Sequence, residues 1–305
     1  LLFKTVLEKA LFSSPSACLE TIRQRLRRLE KNESPEATQD RETLTRLAAA
    51  LQQIPPREFA KYSELLELLR PGGYLNWDPS DPADRVVLFT ERIETLNFLY
   101  EHLPRDLRLR PDQVRTIHGS GMSDVELQQI VEDFSREPSP IRLLLASDIA
   151  SEGLNLHFLS HRLVHFDIPW SLMVFQQRNG RIDRYGQERQ PHILYLYTEP
   201  KHPKIRGDIR ILELLVEKDT QAAKNIGDPS IFQGVFDPHE EELKTGRAIE
   251  EDLSPAEYER QMQEAVENDL LNILFGDQPV PDGRESVERC RALPTLYPND
   301  LAFLE

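Results

Sequence analysis

The chain has 305 residues, of which 39% are hydrophobic and 29% are charged, so it can bury the core of one large domain or of two. No apolar run approaches the roughly 18 residues that a membrane span needs, and we therefore expect no membrane partner. The two cysteines, Cys18 and Cys290, lie far apart and form no Cys-x-x-Cys pair. The small number and wide spacing of the cysteines predict a cytoplasmic protein and argue against a zinc ribbon or a disulfide framework.

The net charge of −15 is unevenly distributed along the chain. Residues 204–305 contain 11 Lys and Arg against 23 Asp and Glu, a net charge of −12, whereas the first 203 residues carry only −3. A strongly acidic protein is a poor ligand for nucleic acid, because phosphate contacts dominate that affinity. A nearly neutral body can still present a local basic groove, so the charge does not exclude nucleic acid as a partner of residues 1–203.

Residues 1–80 are predicted to be helical. Apolar residues recur at spacings of three and four at Leu19, Ile22, Leu26 and Leu29. Ser14 and Pro15 mark a break or a helix start before this pattern, and a further helix is expected over Phe59–Leu69. The polar segment Lys31–Asp40, which contains Pro35, is predicted to be a loop.

The pattern changes at Arg85, where short apolar runs begin to alternate with amphipathic segments. The strand candidates are Val86–Thr90, Val114–His118, Ile141–Ala146, Leu163–Phe166 and His192–Tyr197. The helix candidates between them are Glu91–His102, Asp124–Phe134 and Ser171–Ile182. This alternation predicts an α/β fold for residues 81–203, with a parallel sheet covered by helices on both faces and ligand-binding loops at the carboxyl ends of the strands.

Residues 204–305 are predicted to be an acidic, mostly helical extension. A helix is expected over Lys204–Lys224, and helical character returns around Pro255–Phe275 within a segment rich in proline. Three roles are open for this extension, which could brace the preceding domain, mimic DNA in an autoinhibitory contact or dock a protein partner. The sequence does not choose among them.

The strongest chemical signal is the segment Gln177–Gln187, in which Arg178, Arg181 and Arg184 recur at every third residue. On a helix this spacing would place like charges near one face, where they repel each other, and a stable fold alone does not require such a cluster. Guanidinium groups bind phosphate through forked, permanently charged donors, and they contribute strongly to nucleotide hydrolysis when they reach the transferring phosphoryl group. The alternative is a solvated basic helix end.

Two further signals are polar turns that follow strands. Ala146–Leu156 places small hydroxyl residues and glycine after an apolar strand, where backbone donors can approach a phosphate or a ribose. An ordinary strand-to-helix turn is the alternative. Val86–Glu91 and Ile117–Ser123 have the same form, and each is a weak signal by itself.

Three histidines at spacings of four suggest a zinc site at first sight. His157, His161 and His165 would line up on a continuous helix. His165 lies within a predicted strand, however, and the preceding turn breaks the helical register. We therefore expect core or surface histidines here and no metal site.

Taken in this order, the segments resemble the second RecA-like lobe of superfamily 2 helicases. Val86–Thr90 looks like helicase motif IV, and Ile117–Gly119 looks like the His-Gly turn that follows it. Ser147–Leu156 looks like motif V, and Gln177–Gln187 looks like motif VI. The Arg-x-Gly-Gln ending is closer to Swi/Snf-type ATPases than to DEAD-box helicases. The Ser-Glu-Gly-x-Asn turn and the Gln-Arg-x-Gly-Arg-x-Asp-Arg run are similar to the RapA family of bacterial RNA-polymerase-associated ATPases, although this turn departs slightly from eukaryotic Swi/Snf proteins. The resemblance covers about residues 85–198.

The resemblance implies the C-terminal motor lobe of an ATP-dependent, nucleic-acid-stimulated translocase or helicase. Arg181 and Arg184 would be its arginine fingers, which contact the γ-phosphate of ATP across the lobe interface. The residues expected near the nucleotide are Glu152, Gly153, Asn155, Gln177 and Arg178. The residues expected along the backbone of the nucleic acid, for which we expect duplex DNA, are Thr90, His118, Gly119, Ser147 and Asp148.

The sequence contains no Gly-x4-Gly-Lys-Ser/Thr loop and no Asp-Glu-x-His run, which hold the phosphates of ATP and its Mg²⁺. In the family these motifs belong to the N-terminal RecA-like lobe, so we expect that lobe to be a partner and this chain to be inactive as an ATPase alone. A non-enzymatic nucleic-acid-binding or protein-docking module is the alternative, because the missing motifs fit it equally well.

Overall fold

The computed structural model describes residues 2–119, 121–148, 154–202, 205, 208–224, 238–250, 257 and 260. One compact unit spans Leu1–Tyr258, and residues 259–305 form a second unit, of which only residue 260 is described. All elements named below belong to the first unit. None of its described helices has the length and apolar composition needed to cross a bilayer.

Four helices precede the sheet: α1 (Leu2–Ser13), α2 (Pro15–Leu29), α3 (Pro35–Gln52) and α4 (Ala60–Leu69). Helix α2 begins as expected, because the Ser14 side chain accepts a hydrogen bond from the amide of Ala17 and Pro15 fills the first helical position. The predicted loop at residues 31–40 is wrong in its second half. Ser34 and Pro35 repeat the same start signal, and α3 begins there.

The five predicted strands are confirmed, with ends shifted by up to three residues. They are β1 (Arg85–Phe89), β2 (Val114–Ile117), β3 (Leu143–Ala146), β4 (Ser160–His165) and β5 (His192–Tyr195). All of them are parallel, and their spatial order is β2-β3-β1-β4-β5. The central strand β1 is buried along its whole length, as expected for a strand covered on both faces.

Helices cover both faces of this sheet, which confirms the α/β prediction. Val86 and Leu88 of β1 face a core that includes residues of α4 and of α5 (Ile93–Asp106). Val87 and Phe89 point to the opposite core, which is closed by α6 (Asp124–Phe134). Because successive side chains of a strand alternate between its faces, one apolar run supplies both cores.

Among the residues that the structure describes, three further helices follow β4. They are α7 (Leu172–Asn179), α8 (Ile209–Lys224) and α9 (Pro238–Glu250). Helix α7 ends three residues before the predicted boundary at Ile182, and α8 starts five residues after Lys204. The helical character expected around Pro255–Phe275 falls almost wholly outside the described residues, and the division of the chain at residues 80 and 203 stays a prediction.

Candidate functional site

The predicted contact residues meet at the carboxyl edge of the sheet. Thr90 directly follows β1, His118 follows β2 and Ser147 follows β3. The amide of Thr90 donates to the carbonyl of Ala146 at 3.0 Å, and the amide of Ser147 donates to the carbonyl of Ile117 at 2.9 Å. The turns after three neighbouring strands therefore lie side by side, where open parallel sheets bind ligands.

Asp167, two residues after β4, is the centre of a buried network at this edge. Its carboxylate accepts hydrogen bonds from the hydroxyl of Thr90 at 2.6 Å and from the hydroxyl of Ser13 at 2.8 Å. The amide of Glu91 donates to the same carboxylate at 2.8 Å. Thr90 is fully buried. Its hydroxyl is thus engaged inside the protein, and direct contact with nucleic acid is not the role that this geometry favours.

Arg178 occupies the other side of the network and is only 1% exposed. Its Nε and Nη2 atoms bind the two oxygens of Asp148 at 2.5 and 2.7 Å, and Nη1 donates to the carbonyl of Asp167 at 2.9 Å. The Asp167 carboxylate lies 3.6 Å from the guanidinium. Two residues that we expected at the nucleotide and at the nucleic acid, Arg178 and Asp148, are therefore partners of each other, and the guanidinium points inward.

Burial and the ion pairs of this network shift the pKa values of its members. Burial raises the pKa of Asp167, but Arg178 and the hydrogen bonds from Thr90 and Ser13 outweigh that effect, and the pKa falls below its ordinary value. At Asp148 burial dominates over Arg178 and raises the pKa. Both carboxylates raise the pKa of Arg178 against the effect of burial. The arginine therefore stays charged and is compensated by two acids.

His165 of β4 is held as a neutral imidazole. Burial, reinforced by Arg178, lowers its pKa to about 3. The guanidinium of Arg178 lies 3.3 Å from Nδ1 and can only donate, so Nε2 carries the proton and donates to the amide oxygen of Asn179 at 2.8 Å. His161 also lies in β4, whereas His157 lies in the preceding turn. No group of three potential metal-binding side chains occurs among the residues that the structure describes.

The three arginines of Gln177–Gln187 do not share a helical face, contrary to the expectation from their spacing. Helix α7 ends at Asn179, and the amides of Arg181 and Ile182 bond carbonyls three residues earlier, at 3.1 and 3.2 Å. This tighter winding takes the chain off the helix axis. Arg178 is consequently buried, Arg181 is half-buried and Arg184 is exposed.

The turn after α7 contacts the segment that follows β3. The amide of Leu156 donates to the carbonyl of Arg181 at 3.2 Å, and the guanidinium of Arg184 donates to the side-chain oxygen of Asn155. Asn155 is exposed, as is Gln177 on α7. The structure thus brings together Arg181, Arg184 and Asn155, which were predicted from two separate segments. Glu152 and Gly153 lie outside the described residues.

Comparison with known proteins shows what this part of the chain is similar to. Residues 60–186, which run from α4 to the turn after α7, match the family model of the helicase conserved C-terminal domain. This part of the chain therefore resembles helicase C-terminal domains. The chain is 30% identical over 175 residues to an uncharacterized ATP-dependent helicase, YqhH of Bacillus subtilis (strain 168), which covers 56% of this chain and 29% of that protein. The RNA polymerase-associated protein RapA of Stutzerimonas stutzeri (strain A1501) is 34% identical over 144 residues.

The matched region is a small part of these relatives. The RapA match covers 41% of this chain and 15% of that protein. Among solved structures, the C-terminal part of the Fun30 ATPase domain aligns with a TM-score of 0.39 and 15% identity, over 60% of this chain and 67% of that chain. The predicted resemblance to helicase C-terminal lobes and to the RapA family is confirmed by the family model and by the RapA relatives.

Gln187, the last residue of the arginine-containing segment, anchors the turn that carries Arg184. Its Nε2 atom lies within 3.0–3.2 Å of the carbonyl oxygens of Ile182, His157 and Ser160. Gly186, which precedes it, has a φ of +94°. A Cβ atom built on Gly186 would lie 3.4 Å from the ring of His157. Only glycine adopts this φ readily. Gly186 and Gln187 together therefore hold the turn that carries Arg184 in place.

The remaining predicted residues lie along the same edge with different exposure. Ser147 is buried, His118 is half-buried and Gly119 is exposed. Burial leaves Ser147, like Thr90, suited to holding the edge together rather than to contacting a large ligand. His118 and Gly119 stay predicted contacts of nucleic acid. Asp167 was missed by the sequence reasoning, although an acid directly after the apolar run Leu163–Phe166 is the type of signal that marked Ser147.

Proposed function

We propose that this chain supplies the second motor lobe of an ATP-dependent translocase or helicase of the Swi/Snf type. In this proposal ATP is held mainly by an N-terminal RecA-like lobe elsewhere in the protein. Arg181 and Arg184 reach its γ-phosphate from the present lobe. The observation that carries the proposal is the contact between the turn of Arg181 and Arg184 and the turn of Asn155, at the open edge of the sheet.

The environment of Arg184 supports this role. Its guanidinium is exposed, and among the residues that the structure describes it forms no ion pair with a carboxylate. The amide oxygen of Asn155 orients it without neutralising its charge. An oriented, uncompensated guanidinium can bind a phosphate oxygen through charge-assisted hydrogen bonds and stabilise the charge that develops during phosphoryl transfer.

The rest of the ATP site is assigned to the other lobe. The sequence lacks the phosphate-binding loop, and the described residues contain no cluster of carboxylates that would hold Mg²⁺. Our proposal therefore predicts that the present chain alone does not hydrolyse ATP. Gln177 and Asn155, together with Glu152 and Gly153, are proposed to contact the nucleotide once both lobes close on it.

Nucleic acid, with duplex DNA as its expected form, is the proposed track in the cytoplasm. His118 and Gly119 follow β2 at the carboxyl edge, and backbone and side-chain donors there suit contacts to phosphates, which position a protein without reading bases. RapA relatives are described as RNA polymerase-associated, and YqhH is described as an ATP-dependent helicase. We extend the ATP-dependent activity, and no particular protein partner, to this chain.

The test replaces the two arginines in a protein that carries both lobes. We expect Arg184→Ala and Arg181→Ala each to lower kcat for ATP by roughly a thousandfold, as loss of an arginine finger does in related phosphoryl-transfer systems. ATP binding should weaken much less, because most ground-state contacts lie on the other lobe. Steady-state phosphate release, with and without duplex DNA, measures both parameters.

The matched control is Arg189→Ala, which removes an exposed arginine just outside the segment. It should leave kcat within about twofold of the wild type, as expected for a surface change away from the site. Folded arginine variants that hydrolyse ATP at the wild-type rate would contradict the finger assignment. A wild-type two-lobe protein without ATPase activity would instead favour a non-enzymatic binding module.

A further inference from the structure

The N-terminus of α7 is capped by a carboxylate from the acidic extension. Glu241 of α9 accepts a hydrogen bond from the amide of Leu172 at 2.8 Å and lies 3.4 Å from the amide of Met173. The hydroxyl of Ser171 donates to it at 2.5 Å. Ser171 itself accepts from the amide of Val174 at 3.2 Å. The carboxylate of Glu241 and the hydroxyl of Ser171 together accept hydrogen bonds from the free amides in the first turn of α7, the helix that leads to the arginine fingers.

Glu241 is 4% exposed, so this contact is made away from water. Among the described residues it forms no ion pair with a cation. Its negative charge is therefore balanced by amide donors and by the positive end of the helix dipole, an arrangement that favours an anion at this position. The buried carboxylate of Glu241 therefore stabilises α7, which it caps, although it belongs to α9.

The neighbouring acid on α9 has a different target. Glu242 lies 3.0 Å from the ammonium group of Lys9, which also contacts Glu91 at 2.7 Å. Two successive carboxylates thus bind two separate elements, α7 through Glu241 and α1 through Glu242. This pair supplies a matched control, because loss of either charge disturbs α9 but only one loss removes the cap of α7.

The packing around the cap fixes the distance between α9 and α7. Gly246 of α9 lies against Trp170, the residue before Ser171, and a Cβ built on Gly246 would come within 3.6 Å of that ring and 3.2 Å of Thr5. Helix α8 holds the same element from another side, because Gln176 donates to Asp219 at 2.8 Å. The extension therefore contacts α7 at several points.

Helix α7 needs these contacts. It has only eight residues, which is far below the length at which a helix is stable by itself in water. Its far end is held by Arg178, which binds Asp148, and the chain then turns towards Arg181 and Arg184. The order of the turn that carries the arginine fingers thus depends on anchoring at both ends of α7.

We infer that Glu241 is a positioning residue, which orders α7 from the acidic extension and so places Arg181 and Arg184. This inference rests on the proposed function for its catalytic consequence, but not for its structural one. It assigns the described helix α9 a bracing role in the motor lobe. The carboxylate of Glu241 acts through the amides of Leu172 and Met173 and touches neither ATP nor nucleic acid.

The structural part is tested by hydrogen–deuterium exchange in the protein that carries both lobes. In Glu241→Gln the amides of residues 172–174 should exchange about fivefold faster than in the wild type, because Gln loses the negative charge and one of the two acceptor oxygens that cap the helix. Glu242→Gln should leave these amides unchanged. Ser171→Ala removes the hydroxyl that donates to Glu241 and accepts from the amide of Val174, without altering α9, and it should also speed their exchange. Wild-type exchange in both Glu241→Gln and Ser171→Ala would overturn the inference.

The catalytic part is tested by ATP hydrolysis of the same variants. We expect Glu241→Gln to lower kcat by about the factor found in exchange, with little change in KM for ATP, whereas Glu242→Gln stays within about twofold of the wild type. Equal losses in both variants would show general damage to α9 and overturn the positioning role. A wild-type protein without ATPase activity would refute the proposed function, and the exchange comparison would still decide whether Glu241 orders α7.

Discussion

Two regions at the carboxyl edge of the sheet use the same residue types for opposite purposes. In the buried region, Arg178 is enclosed by Asp148 and Asp167, with Thr90 and Ser13 as further hydrogen-bond donors to Asp167. In the open region, Arg184 is exposed and is oriented by the neutral side chain of Asn155. The two arginines are six residues apart. The difference shows that partners and burial, rather than membership of a motif, decide which arginine is available to a phosphate.

The largest expected effect that separates the two regions is on stability. Arg178→Ala would leave buried Asp167 and half-buried Asp148 without their cation, and breaking a buried ion pair in this way typically costs about 3–5 kcal/mol. Arg184→Ala removes an exposed side chain and should change the free energy of unfolding by less than about 0.5 kcal/mol. Urea denaturation of the present chain measures both.

The same two variants should rank in the opposite order for the catalytic rate, when the rate is expressed per folded protein. Arg184→Ala should be fully folded and should lose its catalytic rate in the two-lobe protein, for the reason given above. If Arg178→Ala were as stable as the wild type, the buried network would not hold the edge of the sheet together. The comparison between a structural and a chemical arginine would then fail.

A second, smaller difference should be visible in the pH dependence of stability. His165 titrates with a pKa of about 3 in the folded chain, against about 6.5 in the unfolded chain. Between these values the unfolded state binds a proton that the folded state does not, so the free energy of unfolding falls as the pH is lowered. The contribution of this one residue approaches about 1.4 kcal/mol for each pH unit well below pH 6.5.

His165→Phe provides the test, because it keeps an aromatic ring beside Phe175 and Tyr195 and removes the titrating group. Its overall stability should be lower, since the hydrogen bond to Asn179 is lost. The informative quantity is the slope of unfolding free energy between pH 6.5 and 5, which should be shallower by about one proton. An unchanged slope in His165→Phe would show that His165 is not the residue responsible.

Local sequence patterns predicted most of the sheet but not the arrangement of the arginines. The apolar runs of β1 and β3 determine buried strands directly, because a strand that is covered on both faces needs apolar side chains at every position. The spacing of Arg178, Arg181 and Arg184 was interpreted on a continuous helix. The chain leaves the helix at Gly180, and this break decides that Arg178 points inward.

The contacts of the extension could not be predicted from spacing. Glu241 and Leu172 are 69 residues apart, and no local pattern relates a carboxylate on one helix to the first turn of another. Asp167, by contrast, carried a usable signal as an acid after an apolar strand. The part of the site that depends on neighbouring residues was thus accessible from the sequence, whereas the part that depends on tertiary packing required the structure.

The smallest expected effect concerns the charge of the extension. A simple truncation near residue 203 would remove Asp208, which pairs with buried Lys61, and α8, whose Ile211 and Leu215 pack in a core with Trp170. Such a truncation would change folding together with charge. The better test neutralises Glu213 and Glu217, two exposed acids of α8, by the double substitution to Gln.

We expect Glu213→Gln with Glu217→Gln to tighten binding of duplex DNA by about twofold at low salt, because repulsion between the extension and the phosphates is reduced. The gain should disappear as salt is added, since exposed charges are screened beyond roughly 10 Å at 0.1 M ionic strength.

Glu30→Gln with Glu33→Gln makes the same change in net charge near the first helices, outside the acidic extension, and should have no effect. Fluorescence anisotropy at several salt concentrations distinguishes these cases. Equal tightening in both double variants would attribute the repulsion to net charge alone, and no tightening in either would remove the extension from the account of DNA binding.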